Sequence, residues 1–253
     1  MRRVKRRIFT GSVCEQIVYN APDRVEIKDA KPKRVRFKDE KEREKHKADI
    51  SRRRHARKFQ ANFSPESIYT TLTFDDEHEV HTFQDAKRVR DNYCRRLLRA
   101  CPGSTIFIYM GRGKSTSRIH FHMVTNGVPE DVIVGKWGCG SVLRTEHLRE
   151  HNYINGQDRG RDYSGLANYL FNHWTAEQGG HRWKQAGEIK EPDVEPATEC
   201  KRDYTTDKPP IAPKGYILVE SMATPYGYLY FRYVVKPERK KKNKKQADRE
   251  PLR

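Results

Sequence analysis

Between residues 67 and 174 the sequence alternates strand-like and helix-like segments, and this alternation limits the folds open to the chain. Short segments rich in β-branched and aromatic side chains, as strands are, lie at 68–74, 104–110, 118–125 and, less distinctly, 141–144. Helical spacing or helix-starting signals are found at 82–100, 129–134 and 164–174. This order predicts an α+β fold, specifically a ferredoxin-like (RRM-like) sandwich with a central antiparallel sheet.

The segments outside this pattern suggest five regions. Residues 1–61 are predicted to form a basic N-terminal extension, with short strands near 8–13 and 16–19 and a charged helix over 38–61. The core would occupy 62–186. The remaining regions are predicted to be a Pro-rich linker, a C-terminal β-hairpin packing on the core and a disordered basic tail, at 187–215, 216–235 and 236–253.

The charge of the chain favours a polyanionic partner. Lys and Arg number 52 against 34 Asp and Glu, a net charge of +18. Basic side chains that bind phosphates release counterions, which drives nucleic-acid binding. The densest run, Arg52, Arg53 and Arg54, would lie on the charged helix. It would contact a phosphate backbone or, alternatively, form a solvated face.

The cysteines and the apolar segments bear on the cellular compartment. The five cysteines include no CxxC pair, so neither a disulfide framework nor a zinc knuckle is predicted, and reduced thiols are expected. The basic start is not followed by the apolar run of a signal peptide. No segment approaches the ~20 apolar residues of a membrane span. We therefore expect a cytoplasmic protein with no membrane partner.

His120-Phe121-His122 is the sharpest chemical motif. Residues two apart on a strand share a face, so both imidazoles would lie on one side of a core strand and Phe121 on the other. Two adjacent imidazoles on a buried strand are costly unless they share a ligand or a partner. The pair is a candidate metal site, and two solvent-facing histidines are the alternative.

The helix predicted over 164–174 carries two further polar candidates. Its apolar face is accompanied by Tyr169 and His173, about one helical turn apart. A tyrosine at the edge of an apolar face is commonly a packing residue with a hydrated hydroxyl. The alternative is a nucleophile aimed at a phosphate.

Together these motifs resemble those of the HUH endonucleases, and more closely the rolling-circle replication initiation proteins of plasmids, phages and integrated elements related to the filamentous-phage gene II protein. The similar stretches are FQANFSPESIYTTLTFDDEH at 59–78, RIHFHMV at 118–124, DYSGLANYLFNHW at 162–174 and YGYLYFRYV at 226–234. The resemblance covers roughly residues 50 to 235, the length of one domain.

The resemblance implies a metal-dependent DNA-nicking reaction. His120 and His122 would hold Mg²⁺ or Mn²⁺, and Tyr169 would attack the scissile phosphate, with Tyr163 in reserve. The chain departs from the family at Asn172, where many relatives have Lys, and His173 is a candidate replacement. An acidic ligand is also missing before the HxH strand, so the third-ligand candidates are Asp75, Asp76 and Glu77.

The expected partner is single-stranded DNA at a replication origin. Basic residues flank the motifs and are candidate DNA contacts: Arg112, Lys114, Arg118, Arg159 and Arg161. No GxxxxGK[ST] motif is present, so a host helicase would unwind the duplex. One alternative is a non-catalytic, RRM-like single-strand-binding protein, in which Tyr69, Phe121 and Trp137 would be candidates to stack on bases. The other is a related HUH relaxase or transposase.

Overall fold

The structure is a computed structural model that describes residues 2–22, 38–113, 117–172, 183–225 and 227–237. These residues form a mixed α+β fold with antiparallel sheets, as the sequence predicts. Within the described ranges the helices are α1 (Glu40–Asn62), α2 (Phe83–Ala100), α3 (Glu130–Trp137) and α4 (Ser164–Asn172). The thirteen strands are β1 (Arg2–Thr10), β2 (Val13–Ala21), β3 (Ile68–Thr73), β4 (Thr105–Arg112), β5 (Ile119–Asn126), β6 (Val142–His147), β7 (Tyr153–Ile154), β8 (Gln157–Asp158), β9 (Trp183–Gly187), β10 (Asp193–Val194), β11 (Thr198–Glu199), β12 (Tyr216–Ala223) and β13 (Leu229–Val235).

A five-stranded antiparallel sheet forms the centre of the molecule. Its strand order is β6-β3-β5-β4-β9, which places β5 in the middle. Because strand residues alternate between faces, Leu72, Ile108 and Phe121 point to one side and pack against Tyr93 of α2 and Trp137 of α3. The helices α2 and α3 therefore cover this face and complete the larger hydrophobic core.

The opposite face of the sheet is covered by α1 and α4. Phe107 and Val124 of the sheet pack against Phe59 of α1 and Leu170 of α4. Only the C-terminal half of α1 is buried there, so the charged N-terminal half remains solvated. His55 of α1 lies within the aromatic side chains of this layer. Its Nε2 is hydrogen-bonded to the Tyr109 hydroxyl at 2.7 Å, and burial lowers the pKa of His55 to about 4.

The second sheet joins the two ends of the chain. The hairpin of β1 and β2 pairs with the hairpin of β12 and β13, since β2 and β13 are neighbours. The segment 187–215, predicted as a Pro-rich linker, contributes β10 and β11, which pair with β1. The C-terminal hairpin was predicted to pack on the core, and its backbone hydrogen bonds are made with β2. Of the predicted basic tail, the described residues include only Lys236 and Pro237.

A buried ion-pair network links the second sheet to α1 and α4. Arg232 of β13 donates two hydrogen bonds to Asp162, at 2.7 and 2.9 Å, and one to Glu15 at 3.1 Å. Arg57 of α1 pairs with the same Glu15 at 2.7 Å. Burial by itself raises the pKa of Asp162, but Arg232 and the Ser164 amide offset this, and the pKa is lowered. The network therefore holds the start of α4 in a fixed place.

Two further features concern the helices and the cysteines. Within the described ranges, no helix combines the length and the apolarity required to cross a bilayer. All five cysteines are free thiols. Burial raises the pKa of Cys94 to about 11 and that of Cys14 to about 12, so these two remain protonated and unreactive at neutral pH.

Candidate active site

The central strand β5 places His120 and His122 on the sheet face that α1 and α4 cover. Their Nε2 atoms are 3.2 Å apart, and their ring centroids are 4.8 Å apart with the planes nearly perpendicular. Phe121 between them is fully buried in the core on the other face. The two-residue period of a strand is the reason the pair shares a side. His122 is the more buried of the two, at 7% exposure.

The neighbouring strand β3 supplies two hydroxyl groups to His122. In the sheet register, His122 lies opposite Thr71 of β3 and Tyr109 of β4. The Tyr69 hydroxyl is 2.7 Å from His122 Nδ1, and the Thr71 hydroxyl is 3.2 Å from the same atom. Thr71 also donates a hydrogen bond to the Tyr69 oxygen. Burial raises the pKa of Tyr69, so its hydroxyl stays protonated at neutral pH.

Tyr169 of α4 lies beside the histidine pair. Its ring centroid is 6.1 Å from that of His122, with the planes inclined by 59°. Ala167, Leu170 and Phe171 anchor α4 in the core, whereas Tyr169 remains 50% exposed. The phenol is therefore held near the His122 imidazole while remaining accessible to a ligand from solution.

The other two candidates from this part of the sequence differ from Tyr169. Tyr163 is 2% exposed and packs in the core formed by α1, α4 and the sheet. Its amide donates to the Gln60 side chain at 2.8 Å, and burial raises its pKa well above the usual range. His173 lies outside the described residues. Tyr169 is thus the tyrosine of the two that is close to the histidine pair.

The acidic candidates for a third ligand lie just beyond the end of β3. Asp75 accepts hydrogen bonds from the ring and the amide of His78, and its pKa is lowered chiefly by the ring contact. Asp76 pairs with Arg118, and Glu77 is exposed. Among the residues that the structure describes, no three His, Cys, Asp or Glu side chains are grouped closely enough to hold a metal.

The separation of the histidine nitrogens nevertheless fits a shared divalent ion. Two nitrogens bound at right angles on an octahedral ion, with bonds of ~2.1 Å, would be ~3 Å apart. The observed separation of the two Nε2 atoms is 3.2 Å. The remaining coordination positions would fall to water and to phosphate oxygens, which Mg²⁺ and Mn²⁺ accept.

The predicted DNA contacts on the loops make contacts within the protein. Arg112 donates to the carbonyl oxygens of His81 and Ser117, and Arg118 pairs with Asp76 and Glu79. Arg159 is buried and donates to the Val219 carbonyl, while Arg161 forms a two-point ion pair with Glu150. Lys114 lies outside the described residues. These arginines could contact DNA only with the atoms that the protein leaves exposed.

The basic run of α1 divides into three different environments. Arg52 pairs with Asp49 one turn earlier. Arg53 donates to the Tyr228 hydroxyl at 2.9 Å and lies over the ring of Tyr230. Arg54 is exposed. Arg53 thus joins α1 to the C-terminal hairpin, while Arg54 is the member of the run presented to solvent.

The sequence signals differ in what they could reveal of this site. The HxH motif and the helix carrying Tyr169 were accessible from local periodicity. Tyr69 was considered only as a residue that could stack on a base. Its two-residue spacing from Thr71 indicates a shared face, but the register against His122 depends on long-range pairing.

Compared with known proteins, the chain matches no family model, no curated protein and no solved structure.

Proposed function

We propose that this protein is a metal-dependent tyrosine endonuclease and strand-transferase that nicks single-stranded DNA. It would initiate rolling-circle replication of a phage, a plasmid or an integrated mobile element. The observation that carries the proposal is the position of the Tyr169 ring, 6.1 Å from that of His122, beside two Nε2 atoms that are 3.2 Å apart. A candidate nucleophile and a candidate metal site thereby lie side by side.

The arrangement of the core supports the proposal. The elements β3, α2, β4, β5, α3 and β6 follow one another as β-α-β-β-α-β, the order of ferredoxin-like sandwiches. The HUH endonucleases that the sequence resembles carry their histidine pair on a core strand of this kind. Here β5 is the middle strand of the sheet and carries both histidines.

In the proposed reaction, the Tyr169 oxygen attacks the phosphorus of the scissile phosphodiester. The P–O3′ bond breaks, and the departing oxygen takes up the proton that the phenol has given up, so a free 3′-OH and a 5′-phosphotyrosine result. The covalent link conserves the phosphodiester for later rejoining. Mg²⁺ or Mn²⁺ at His120 and His122 would polarise the phosphoryl oxygens and orient the leaving group.

The charge of the chain supports a DNA substrate. A net charge of +18 favours binding to phosphates and makes that binding sensitive to salt. Arg54 and the exposed atoms of Arg161 are candidate phosphate contacts. The partner we propose is single-stranded DNA at an origin, exposed by a host helicase because the chain has no P-loop motif.

The burial of the sheet aromatics favours a nuclease over a purely RRM-like binder. An RRM-like sheet stacks bases on exposed aromatic side chains. In this protein, Phe107 and Tyr109 are at most 1% exposed and Tyr69 is 7% exposed, beneath α1 and α4. The other aromatics considered for stacking, Phe121 and Trp137, are in the core on the opposite face. A relaxase or transposase would share the same nicking step.

Covalent trapping on labelled DNA tests the proposal directly. The full chain is incubated with a single-stranded oligonucleotide library in Mn²⁺ or in EDTA and separated on a denaturing gel. Because the adduct forms at the 5′ end of the downstream fragment, 3′-labelled DNA should shift, whereas 5′-labelled DNA should be shortened. Both products should require Mn²⁺, and peptide mapping should locate the adduct at Tyr169.

Two matched variants identify the nucleophile. Tyr169→Phe should abolish the adduct, a loss of at least ~10³-fold, because Phe has no oxygen to attack phosphorus. DNA binding should remain within about twofold of the wild type. Tyr153→Phe removes the hydroxyl of another exposed tyrosine, 68% accessible, and should leave nicking unchanged. Undiminished adduct in Tyr169→Phe would show that Tyr169 is not the nucleophile. Salt-sensitive binding of the wild type without any adduct would refute the nuclease.

A further inference from the structure

His122 has neighbours at both of its ring nitrogens. The hydroxyls of Tyr69 and Thr71 approach Nδ1 at 2.7 and 3.2 Å, whereas Nε2 is 3.2 Å from Nε2 of His120. The Tyr69 ring also stacks on the imidazole, with planes inclined by 18°. The hydroxyl groups of β3 therefore fix the orientation of the His122 ring through Nδ1. Its Nε2 atom points towards His120, where the candidate ion would bind.

The proton on the imidazole decides whether Nε2 can bind a metal. A neutral imidazole carries one N–H, so Nε2 has a free lone pair only when the proton is on Nδ1. That Nδ1–H needs an acceptor, and the hydroxyl oxygen of Tyr69 is closer to Nδ1 than the hydroxyl oxygen of Thr71 is. A hydroxyl can also donate to Nδ1, in which case Nε2–H is free to donate to His120. The Tyr69 hydroxyl can thus accept from Nδ1–H when an ion is bound and donate to Nδ1 when no ion is bound.

We propose that Tyr69, assisted by Thr71, is a positioning residue that accepts the Nδ1–H of His122 and thereby presents Nε2 to the metal. This inference rests on the proposed function of the histidine pair. Groups of this kind, behind the ligands themselves, fix the tautomer and the ring orientation of a metal-binding histidine. The usual partner is a carboxylate, a carbonyl or a water, whereas here a tyrosine hydroxyl takes that place.

The hydroxyl can be separated from the packing of the tyrosine ring. Tyr69 is 7% exposed and belongs to the core between the sheet and α1. Tyr69→Phe retains the ring and removes only the hydrogen-bonding oxygen. Tyr93→Phe is the matched control, since it removes a buried hydroxyl that donates to the Ile133 carbonyl at 2.8 Å on the other face of the sheet. Thr71→Val tests the second hydroxyl with little change of volume.

The experiment measures Mn²⁺ binding to the full chain without DNA, by electron paramagnetic resonance of the free ion. Tyr69→Phe should weaken the Mn²⁺ affinity by about 10- to 100-fold, the range for loss of a group behind a metal ligand. Thr71→Val should weaken it less, and Tyr93→Phe should leave it within twofold. Saturating Mn²⁺ should restore adduct formation by Tyr69→Phe, because Tyr169 and both histidines are unchanged.

A parallel His122→Ala variant separates the inference from the proposed function. If His122→Ala binds Mn²⁺ as the wild type does, the histidine site is wrong and the role of Tyr69 is wrong with it. If His122→Ala loses Mn²⁺ while Tyr69→Phe retains wild-type affinity, only the positioning role is overturned. A loss of adduct in Tyr69→Phe that high Mn²⁺ does not restore would also overturn it, because it would indicate a structural defect.

Discussion

Replacing Asp162 by alanine should unbalance the buried ion-pair network that holds the start of α4. The network contains two arginines, Arg57 and Arg232, and two carboxylates, Glu15 and Asp162. Asp162→Ala leaves one positive charge without compensation. It also removes the acceptor of two hydrogen bonds from Arg232 and of one from the Ser164 amide. Breaking one side of a buried ion pair costs roughly 3–5 kcal/mol, so the free energy of unfolding should fall by about that amount.

Urea unfolding monitored by tryptophan fluorescence measures this loss. A destabilisation of that size lowers Tm by on the order of 10 °C for a chain of this length. Glu150→Ala is the matched control, because it breaks an arginine–carboxylate pair of similar geometry whose side chains are 54% and 53% exposed. Such an exposed pair contributes ~1 kcal/mol or less. If Asp162→Ala unfolds within about 1 kcal/mol of Glu150→Ala, the reasoning about charge compensation is refuted.

Two further predictions concern stability. Burial lowers the pKa of His55 from 6.5 to about 4, so as the pH falls the unfolded chain takes up its proton before the folded chain does. The contribution of His55 to the free energy of unfolding should therefore be constant above about pH 6.5 and should decline by about 3 kcal/mol towards pH 4. Urea titrations across this range should show that His55→Leu lacks this part of the decline; an unchanged slope would contradict the assignment. Gly187 has φ +86°, and a Cβ there would lie 1.9 Å from the Ser104 carbonyl oxygen. Gly187→Ala should therefore lower the free energy of unfolding by about 2 kcal/mol or more. Gly165 lies on α4 with open space around it, so Gly165→Ala should raise the free energy of unfolding by about 0.5–1 kcal/mol. Thermal melts of the two variants should move in opposite directions, and equal shifts would exclude steric strain at Gly187.

The α+β character and the shared face of the histidines could be predicted because both depend on local periodicity. A period of two places His120 and His122 on one side of β5 whatever its neighbours are. The longer strands and helices between 67 and 174 follow from the same kind of signal, whereas the two-residue strands β7 and β8 carry none. The partners of His122 could not be predicted, because the register of β3 against β5 is set by long-range packing.

The roles of the basic residues were the least accessible to sequence reasoning. The net charge shows that basic residues are in excess, but it does not indicate which arginines form ion pairs with carboxylates. Arg118 pairs with Asp76, 42 residues earlier, Arg161 pairs with Glu150, and Arg159 is buried. The N-terminal strands illustrate the same limit, because the pairing of β2 with β13 leaves no local signal in either segment.

The pairing of β2 with β13 has a consequence for synthesis of the protein. Glu15 and Arg232, which meet across these strands, are 217 residues apart in the chain. During translation the first hairpin is made long before β13, so the edge of β2 stays unpaired until β13 has been made. Long-range pairing of this kind is also slow. We therefore expect the start of α4, the helix that carries Tyr169, to gain its ion pair only after Arg232 has emerged from the ribosome.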